Sequence, residues 1–580
     1  MGKEFHIRRG EKILAIIRSF SATEKFIFGI FTIGALVSSL VLAYEVNSTF
    51  LTQIPAHGGR LAEGIVGLPR SINPVLAFTD VDLDLSNLIY SGLMKYDDGK
   101  IVPDLAEKYS VSEDGLVYTF ILKDEVRFHD GVPLTTDDVE FTIQKIQDSI
   151  IKSPRRADWT NITTKKVSPT EIQFVLRQPY APFLANTTLG IIPKHIWSKI
   201  NPDQFIFSQY NIEPVGSGPY ELKSIKRDSG GIPVNYILSS FSRYHLDEPY
   251  ISEMDIFFYP NEKALIEAYD RGIIESVARI SAREALRIAS TTEAVHILHT
   301  PLPRIFGVFF NQNQSTLFTL KEVRQALDTA TDKGYIIEQV LSGYGVESNG
   351  PLPLSGVKLS NIYDSSTSSE KITSALKILN EAGWAMNGNG VLEKKSKKGP
   401  SQILEFSIAT ADAPELKLVA DIIKTQWEKL GAKVTIKVFE YGDLYQNIIA
   451  TRKYDALLFG ESIGKDLDLY AFWHSSQRNS PGLNVAMYVN SKVDKILEDA
   501  RITPDTATRD KLYAQFDKII QEEVPAVFLY SPEFIYVVPD EVQGLELDHI
   551  TTPSDRFYNM NEWYRITDNV WEVFKKDNKN

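Results

Sequence analysis

Between Asn87 and Thr142 the spacing of apolar and polar residues changes several times, and each change marks an element. Leu116–Leu122 (LVYTFIL) is β-branched and aromatic and is bounded by Asp114-Gly115, which predicts a strand. Val126-Arg127-Phe128 predicts a second strand, closed by His129-Asp130-Gly131. Asp97-Asp98-Gly99 predicts a turn, because Gly accepts a positive φ and Asp bonds its own backbone. Thr135 followed by Asp138 has the form of a capping box, with Asp in place of the usual Glu or Gln. A helix is expected to follow, with Val139, Ile143, Ile146 and Ile150 on one face.

Other segments carry equally clear periods. Gly59–Pro74 predicts a strand and loop, Glu171–Leu176 a strand, and Pro303–Asn311 another. Leu416–Leu430 is amphipathic through Val419, Ile422, Ile423, Trp427 and Leu430, with Gly431 as its stop. Val434–Phe439 (strand), Leu444–Ala450 (helix) and Asp455–Phe459 (buried strand) follow. This strand–helix–strand rhythm predicts a largely parallel sheet, whose ligands bind beyond the carboxyl ends of the strands. The loop after Phe459 is therefore the place to look for a site.

Phe26–Tyr44 is a run of 19 residues without a charge, enough to cross a membrane at roughly 20 residues per span. Basic residues precede it and Glu45 follows, which places the body outside the membrane. A signal peptide cleaved after Val41-Leu42-Ala43 is the rival reading. The basic leader is long and the apolar run exceeds a signal core, so an uncleaved anchor is preferred. With 580 residues the chain needs at least two lobes. The net charge is −13, and the first 25 residues carry +3, which leaves −16 on the rest. An acidic body without a basic block argues against nucleic acid. There are no cysteines, which excludes disulfides, thiolate metal sites and a lipidated cysteine.

Gly460-Glu461-Ser462-Ile463-Gly464 fits the G-x-S-x-G pattern of a nucleophile elbow, and it follows a predicted strand. A membrane-anchored serine hydrolase using Ser462, with His474 or His549, is thus the enzymatic alternative. The required succession of strands and helices before Ser462 is missing, so a non-enzyme is preferred. Asp80, Asp82 and Asp84 imitate a calcium loop, but Leu85 stands at the turn Gly and Ser91 at the bidentate Glu. His296 and His299 fall on opposite faces of a predicted strand, so no metal site is expected. His195, in a Pro-Lys-His turn, reads as structural.

The stretch IYSGLMKYDDGKIVPDLAEKYSVSEDGLVYTFILKDEVRFHDGVPLTTDDV resembles the bacterial extracellular solute-binding proteins of family 5, the dipeptide/oligopeptide-binding components of ABC importers. Pro193-Lys194-His195, Pro214–Tyr220 (PVGSGPY), Val323–Leu327 (VRQAL) and Glu381–Trp384 (EAGW) are similar to further family segments. The resemblance implies an α/β fold: the two-lobed periplasmic-binding-protein type II fold in its large three-subdomain variety, here with one N-terminal transmembrane helix. Its expected partition is a cytoplasmic basic segment 1–25, an anchor or uncleaved signal 26–46 and a spacer 47–58. Lobe I takes 59–302 plus 531–566, with a small subdomain at about 84–205. Lobe II takes 303–530, and 567–580 is a tail. A monomer is expected, without cofactor or metal, closing on a short peptide and delivering it to permease subunits. Expected cleft contacts are Ser71, Ser217, Arg304, Phe306, Glu461, Ser462, Lys465 and Asp466. In peptide-binding members an Asp in the loop after the lobe II strand pairs with the peptide amine. The closest register puts Ile463 there, so Glu461 or Asp466 is expected to substitute. A non-peptide solute, an oligosaccharide or a metal chelate, is the alternative ligand.

Overall fold

A computed structural model describes residues 16–97, 99–352, 367–396, 400–464, 467–547 and 549–571. The chain forms two compact units, Met1–His57 with Tyr564–Asn580, and Gly58–Trp563. In chain order the elements used below are helix α1 (Ala22–Phe50), strands β1 (Leu51–Ala56) and β2 (Arg60–Val66), helix α2 (Asp80–Ile89), strand β3 (Val117–Leu122) and helix α3 (Thr136–Gln147). Then come strands β4 (Val295–Pro301), β5 (Arg304–Phe310), β6 (Glu405–Ala411), β7 (Lys433–Phe439) and β8 (Ala456–Ser462), helix α4 (Ser491–Ile502), and strands β9 (Ala526–Pro539) and β10 (Ile566–Trp571).

In the smaller unit, α1 passes directly into β1, which pairs antiparallel with β10 from Leu51↔Trp571 to Ala56↔Ile566. Residues 47–58 are thus no polar spacer: they hold the last turn of a helix and a paired strand. The expected tail likewise begins as strand, and 572–580 lie outside the described residues. Among the described residues α1 is the one helix long and apolar enough to cross a membrane, and no residue of it is buried.

The larger unit is organised by one twelve-stranded sheet. In lobe II its order is β7-β6-β8-β5-β9. β6 runs parallel to β7 and β8, whereas β5 is antiparallel to both β8 and β9. The sheet is therefore mixed rather than largely parallel, because β5 and β9 enter from the other lobe. β9 is shared: its first half pairs with β5 and its second half with β4 and the strand Ser276–Ala278, beyond which β2 continues the sheet in lobe I. The lobes are joined where Leu302 donates its N–H to the Pro532 carbonyl at 3.0 Å.

The stretch from Asn87 to Thr142 mostly folds as its pattern predicts. β3 alternates half-buried and buried residues, and it pairs with strands Ala106–Val111 and Glu171–Leu176. The Thr135/Asp138 capping box opens α3, which buries Val139, Ile143 and Ile146. Ile150 lies beyond the helix and is exposed. Val126–Phe128 is not a strand: a single bridge joins Arg127 to Pro133. Its backbone turns back on itself, Phe128 donating to the Val132 carbonyl and Val126 accepting from the Leu134 N–H, both at 2.9 Å. His129 then leaves this turn. Its Nδ1 accepts from the Gly216 N–H at 3.3 Å and its Nε2 donates to the Gly218 carbonyl at 3.1 Å. Its own N–H donates to the Gly216 carbonyl at 2.8 Å. His129 thus docks on the PVGSGPY loop beside that turn. Burial pushes the imidazole down to about 4, which fixes the neutral tautomer these bonds require. Gly218 is needed there, since a Cβ would lie 2.6 Å from the Ile89 carbonyl carbon at the end of α2.

Lobe I also buries charge. Arg556 donates to Glu63 at 2.7 Å and to Asp84 at 3.0 Å, and both partners are wholly enclosed. Tyr536 and Ser276 donate to the other Glu63 oxygen at 2.6 and 2.8 Å, and Arg279 reaches Asp84 at 2.6 Å. Burial works to raise the Asp84 carboxyl, but Arg279 and Arg556 outweigh it and hold the group below the usual carboxylate range.

Candidate functional site

A cavity of about 400 Å³ lies between the lobes. Ser462, Ile463, Gly464 and Asp468 line it from lobe II; Arg155, Asp158, Trp159 and Tyr180 face them from lobe I. The loop after β8 is delivered to the cavity by the strand ladder, which extends past Ser462 through a 2.8 Å bond from the Ile463 N–H to the Pro303 carbonyl. Lobe I contributes through the segment Arg155–Trp159, whose Trp159 ring packs on Phe174 and Phe183 at 5.8 and 5.7 Å.

Strand alternation divides the expected contacts. Ser462 ends β8, exposed and opposite Arg304, which is also exposed. Phe306 stands opposite Gly460 on the same face. The Phe306 ring stacks on Tyr530 at 5.2 Å and covers Gly460 so closely that a Cβ there would meet it at 2.8 Å. Glu461 points the other way, toward the face of Leu457 and the cluster holding Ile305, Phe309 and Trp473. It is buried and its Oε1 has no partner among the described residues. Burial raises its carboxyl well above the usual range, and the Trp473 indole offsets only part of this without reaching hydrogen-bond geometry. Glu461 thus turns away from the cavity, where a cleft carboxylate was expected.

Ser217 also departs from expectation. It is wholly buried, does not line the cavity, and its carbonyl accepts from the Ser91 hydroxyl at 3.3 Å. Ser71 gives its N–H to the Asp82 carboxylate at 2.8 Å, and its hydroxyl is enclosed without a partner among the described residues. Lys465 and Asp466 lie outside the described residues.

The residues that face one another across the cavity were mostly missed. Asp468 is gripped by Arg501 of α4, whose Nη2 is 2.6 Å and Nε 2.9 Å from Oδ2. Tyr180 reaches over from lobe I to the same oxygen at 3.4 Å, and the Ala181 N–H donates to the Arg501 carbonyl at 2.8 Å. The Arg501 guanidinium stacks 4.0 Å from the Tyr470 ring centre. Burial works against its charge, but the bonds to Asp468 outweigh that and raise it further. The Asp158 carboxyl opens to water yet is crowded by protein on its other sides. That enclosure raises it, and Arg155 pulls the other way. One signal was available: Asp468 lies two residues beyond the acidic position singled out in the same loop. Nothing local ties it to Arg501, which is 33 residues away.

The elbow geometry of a hydrolase does not form. No helix begins at Ser462, the next described one being Tyr470–Trp473, and Ser462 is not among the positive-φ residues. The His474 ring bonds Ser476 at 2.8 Å and stacks on Tyr470 at 4.1 Å.

Two α/β lobes joined by shared strands, with a mixed aromatic and charged cavity between them, define a ligand-binding protein of the periplasmic-binding type. The chain belongs to the bacterial extracellular solute-binding proteins, family 5, whose middle-region model matches residues 100–482. It is 29% identical over 522 residues to the oligopeptide-binding protein AppA of Bacillus subtilis (strain 168), covering 88% of this chain and 92% of the relative. The solved structure of AppA from Bacillus subtilis in complex with a nonapeptide is similar, with a TM-score of 0.65 and 28% identity over 88% of this chain and 99% of that one. So is that of NikZ from Campylobacter jejuni in complex with Ni(L-His), with a TM-score of 0.66 and 26% identity over 87% and 99%.

Proposed function

We propose that this chain is the extracytoplasmic binding component of an ABC importer, held to the membrane by α1, and that it closes on a short peptide and presents it to permease subunits. The observation that carries the peptide reading is the pairing of walls: acidic and basic groups, Asp158 and Arg155, beside aromatic ones, Trp159 and Tyr180. A peptide brings an ammonium, a carboxylate and apolar side chains, and such a wall answers each. Asp158, raised by partial enclosure, gains most from a cationic partner. Ser462 and the backbone of Ile463 and Gly464 supply polar contacts from lobe II, with Arg304 and Phe306 along the same strand face. In this reading Ser462 turns over no substrate and the chain acts as a monomer.

Mass spectrometry of ligand co-purified from the native host tests the reading, followed by calorimetric titration with peptides of two to nine residues. Recovery of peptides, with Asp158→Asn weakening their binding by about tenfold or more, supports it. Recovery of a sugar or a nickel–histidine chelate, with no heat from peptides, overturns the peptide ligand and keeps the binding protein.

A further inference from the structure

The smaller unit places three aromatic side chains around the outer end of α1. The uncharged run 26–44 is about 28 Å long at ~1.5 Å per residue, which matches the ~30 Å hydrocarbon core of a bilayer. Residues 45–50 carry the helix about 9 Å further. That slightly exceeds the depth of a headgroup layer, roughly 5–8 Å on each side. The helix thus ends where polar headgroups give way to water, and β1 starts there. β10 runs antiparallel to β1, so the chain descends again to the same level and brings Trp571 opposite Leu51. The Trp571 indole N–H donates to the Asn47 side-chain oxygen at 2.7 Å, and its ring lies 6.2 Å from that of Phe50. Tyr44, Phe50 and Trp571 are nonetheless 74%, 52% and 44% exposed. Tyr and Trp, each apolar with one polar edge, are favoured at a membrane interface, and an exposed Phe between them is costly in water.

We propose that the β1–β10 ribbon is a membrane-seated stalk, and that Trp571, Phe50 and Tyr44 form an aromatic collar in the outer phospholipid headgroup layer. The chain then meets the bilayer at two places far apart in sequence, once with a helix and once with the end of a strand. This rests on the anchor reading above. The bond from Trp571 to Asn47 locks the second contact to the first and fixes the depth of the ribbon.

The test uses the full chain in phospholipid nanodiscs with lipids brominated either near the headgroup or deep in the acyl chain. The emission difference between the parent and Trp571→Phe isolates the share of Trp571. The expected result is loss of most of that share with shallow bromines and little loss with deep ones. Since the chain has no cysteine, single nitroxides on Val570→Cys and Ile566→Cys give a second measure. These positions are about 14 Å apart at ~3.4 Å per residue. Lipid-borne oxygen should relax the first and spare the second. No quenching and equal relaxation, in a chain that resists extraction by alkaline carbonate, overturn the collar while leaving the anchor intact. Release by carbonate, or an N-terminus beginning at Tyr44, overturns the anchor reading and the collar with it.

Discussion

Asp84 and Glu461 are both wholly enclosed carboxyls, one in each lobe, and their environments push them in opposite directions. Asp84 sits between Arg279 and Arg556 and is held ionised. Glu461 faces an apolar cluster, its Oε1 has no partner among the described residues, and burial pushes its carboxyl well above the usual range. Lobe I thus joins residues as far apart as Glu63 and Arg556, 493 positions, through charge. Around Glu461 lobe II instead packs Ile305, Phe309 and Trp473. The difference teaches that burial alone does not say what a carboxyl does; the partner decides.

The largest expected effect breaks the contrast at its charged end. Arg556→Met should cost about 3–5 kcal/mol in urea unfolding, because Glu63 and Asp84 lose their shared cation inside the protein. A loss below about 1 kcal/mol would mean the network is no stiffer than the apolar lobe. Next is acid. His129 is held at about 4 against a usual 6.5, so its contribution is present above 6.5 and is lost as pH falls toward 4. This amounts to roughly 3 kcal/mol. His129→Asn should flatten that part of a stability–pH curve; an unchanged slope refutes the assignment. Asp84 acts in the same sense, its contribution being lost as pH falls below the usual carboxylate range.

A smaller effect concerns the contact between the lobes. Asp468→Asn keeps the shape but removes the charge that Arg501 and Tyr180 share. It should weaken ligand binding by about 1 kcal/mol with melting temperature nearly unchanged, as read by titration and calorimetry on one sample. Equal loss in both measurements would make the group a lobe II fold element instead. Smallest at neutral pH is Glu461→Gln, expected within about 1 kcal/mol of the parent. Its signature is the sign. A raised carboxyl stabilises fully below its usual 4.5 and does so less as pH rises, so the variant should gain on the parent with increasing pH. The opposite trend would mean Glu461 is ionised and paired.

Local features were legible where they are decided locally. The Thr135 cap, the apolar face through Val139 and Ile146, and the Gly431 stop at φ 101° follow from residue type and spacing. So does the run of β3. Val126–Phe128 looked equally like a strand, but its backbone closes on Val132 and Leu134 in a tight local turn, and His129 beside it is taken by the Gly216–Gly218 loop some ninety residues on. Such pairing leaves no local mark. In the site, the strand and its loop were found, while Glu461 and Ser462 were grouped together. A period of two sends neighbours to opposite faces, and only the register with β5 tells which face meets the cavity. The cross-cleft set of Asp158, Tyr180, Asp468 and Arg501 comes from four distant stretches, so no window of sequence contains it.

β9 belongs to both lobes, and this bears on timing. Its amides are committed to β5 on one side of the crossing and to β4 on the other. Swinging the lobes apart is expected to bend the ribbon near Pro301–Pro303 and Pro532, where the proline nitrogens donate nothing and the bond from Leu302 to the Pro532 carbonyl ties the crossing. Deuterium should therefore enter the Tyr180–Ala181 region at the rate of opening and reach the interior of β9 only on global unfolding. Ligand residence and the lifetime of the fold are then two separate clocks carried by one strand.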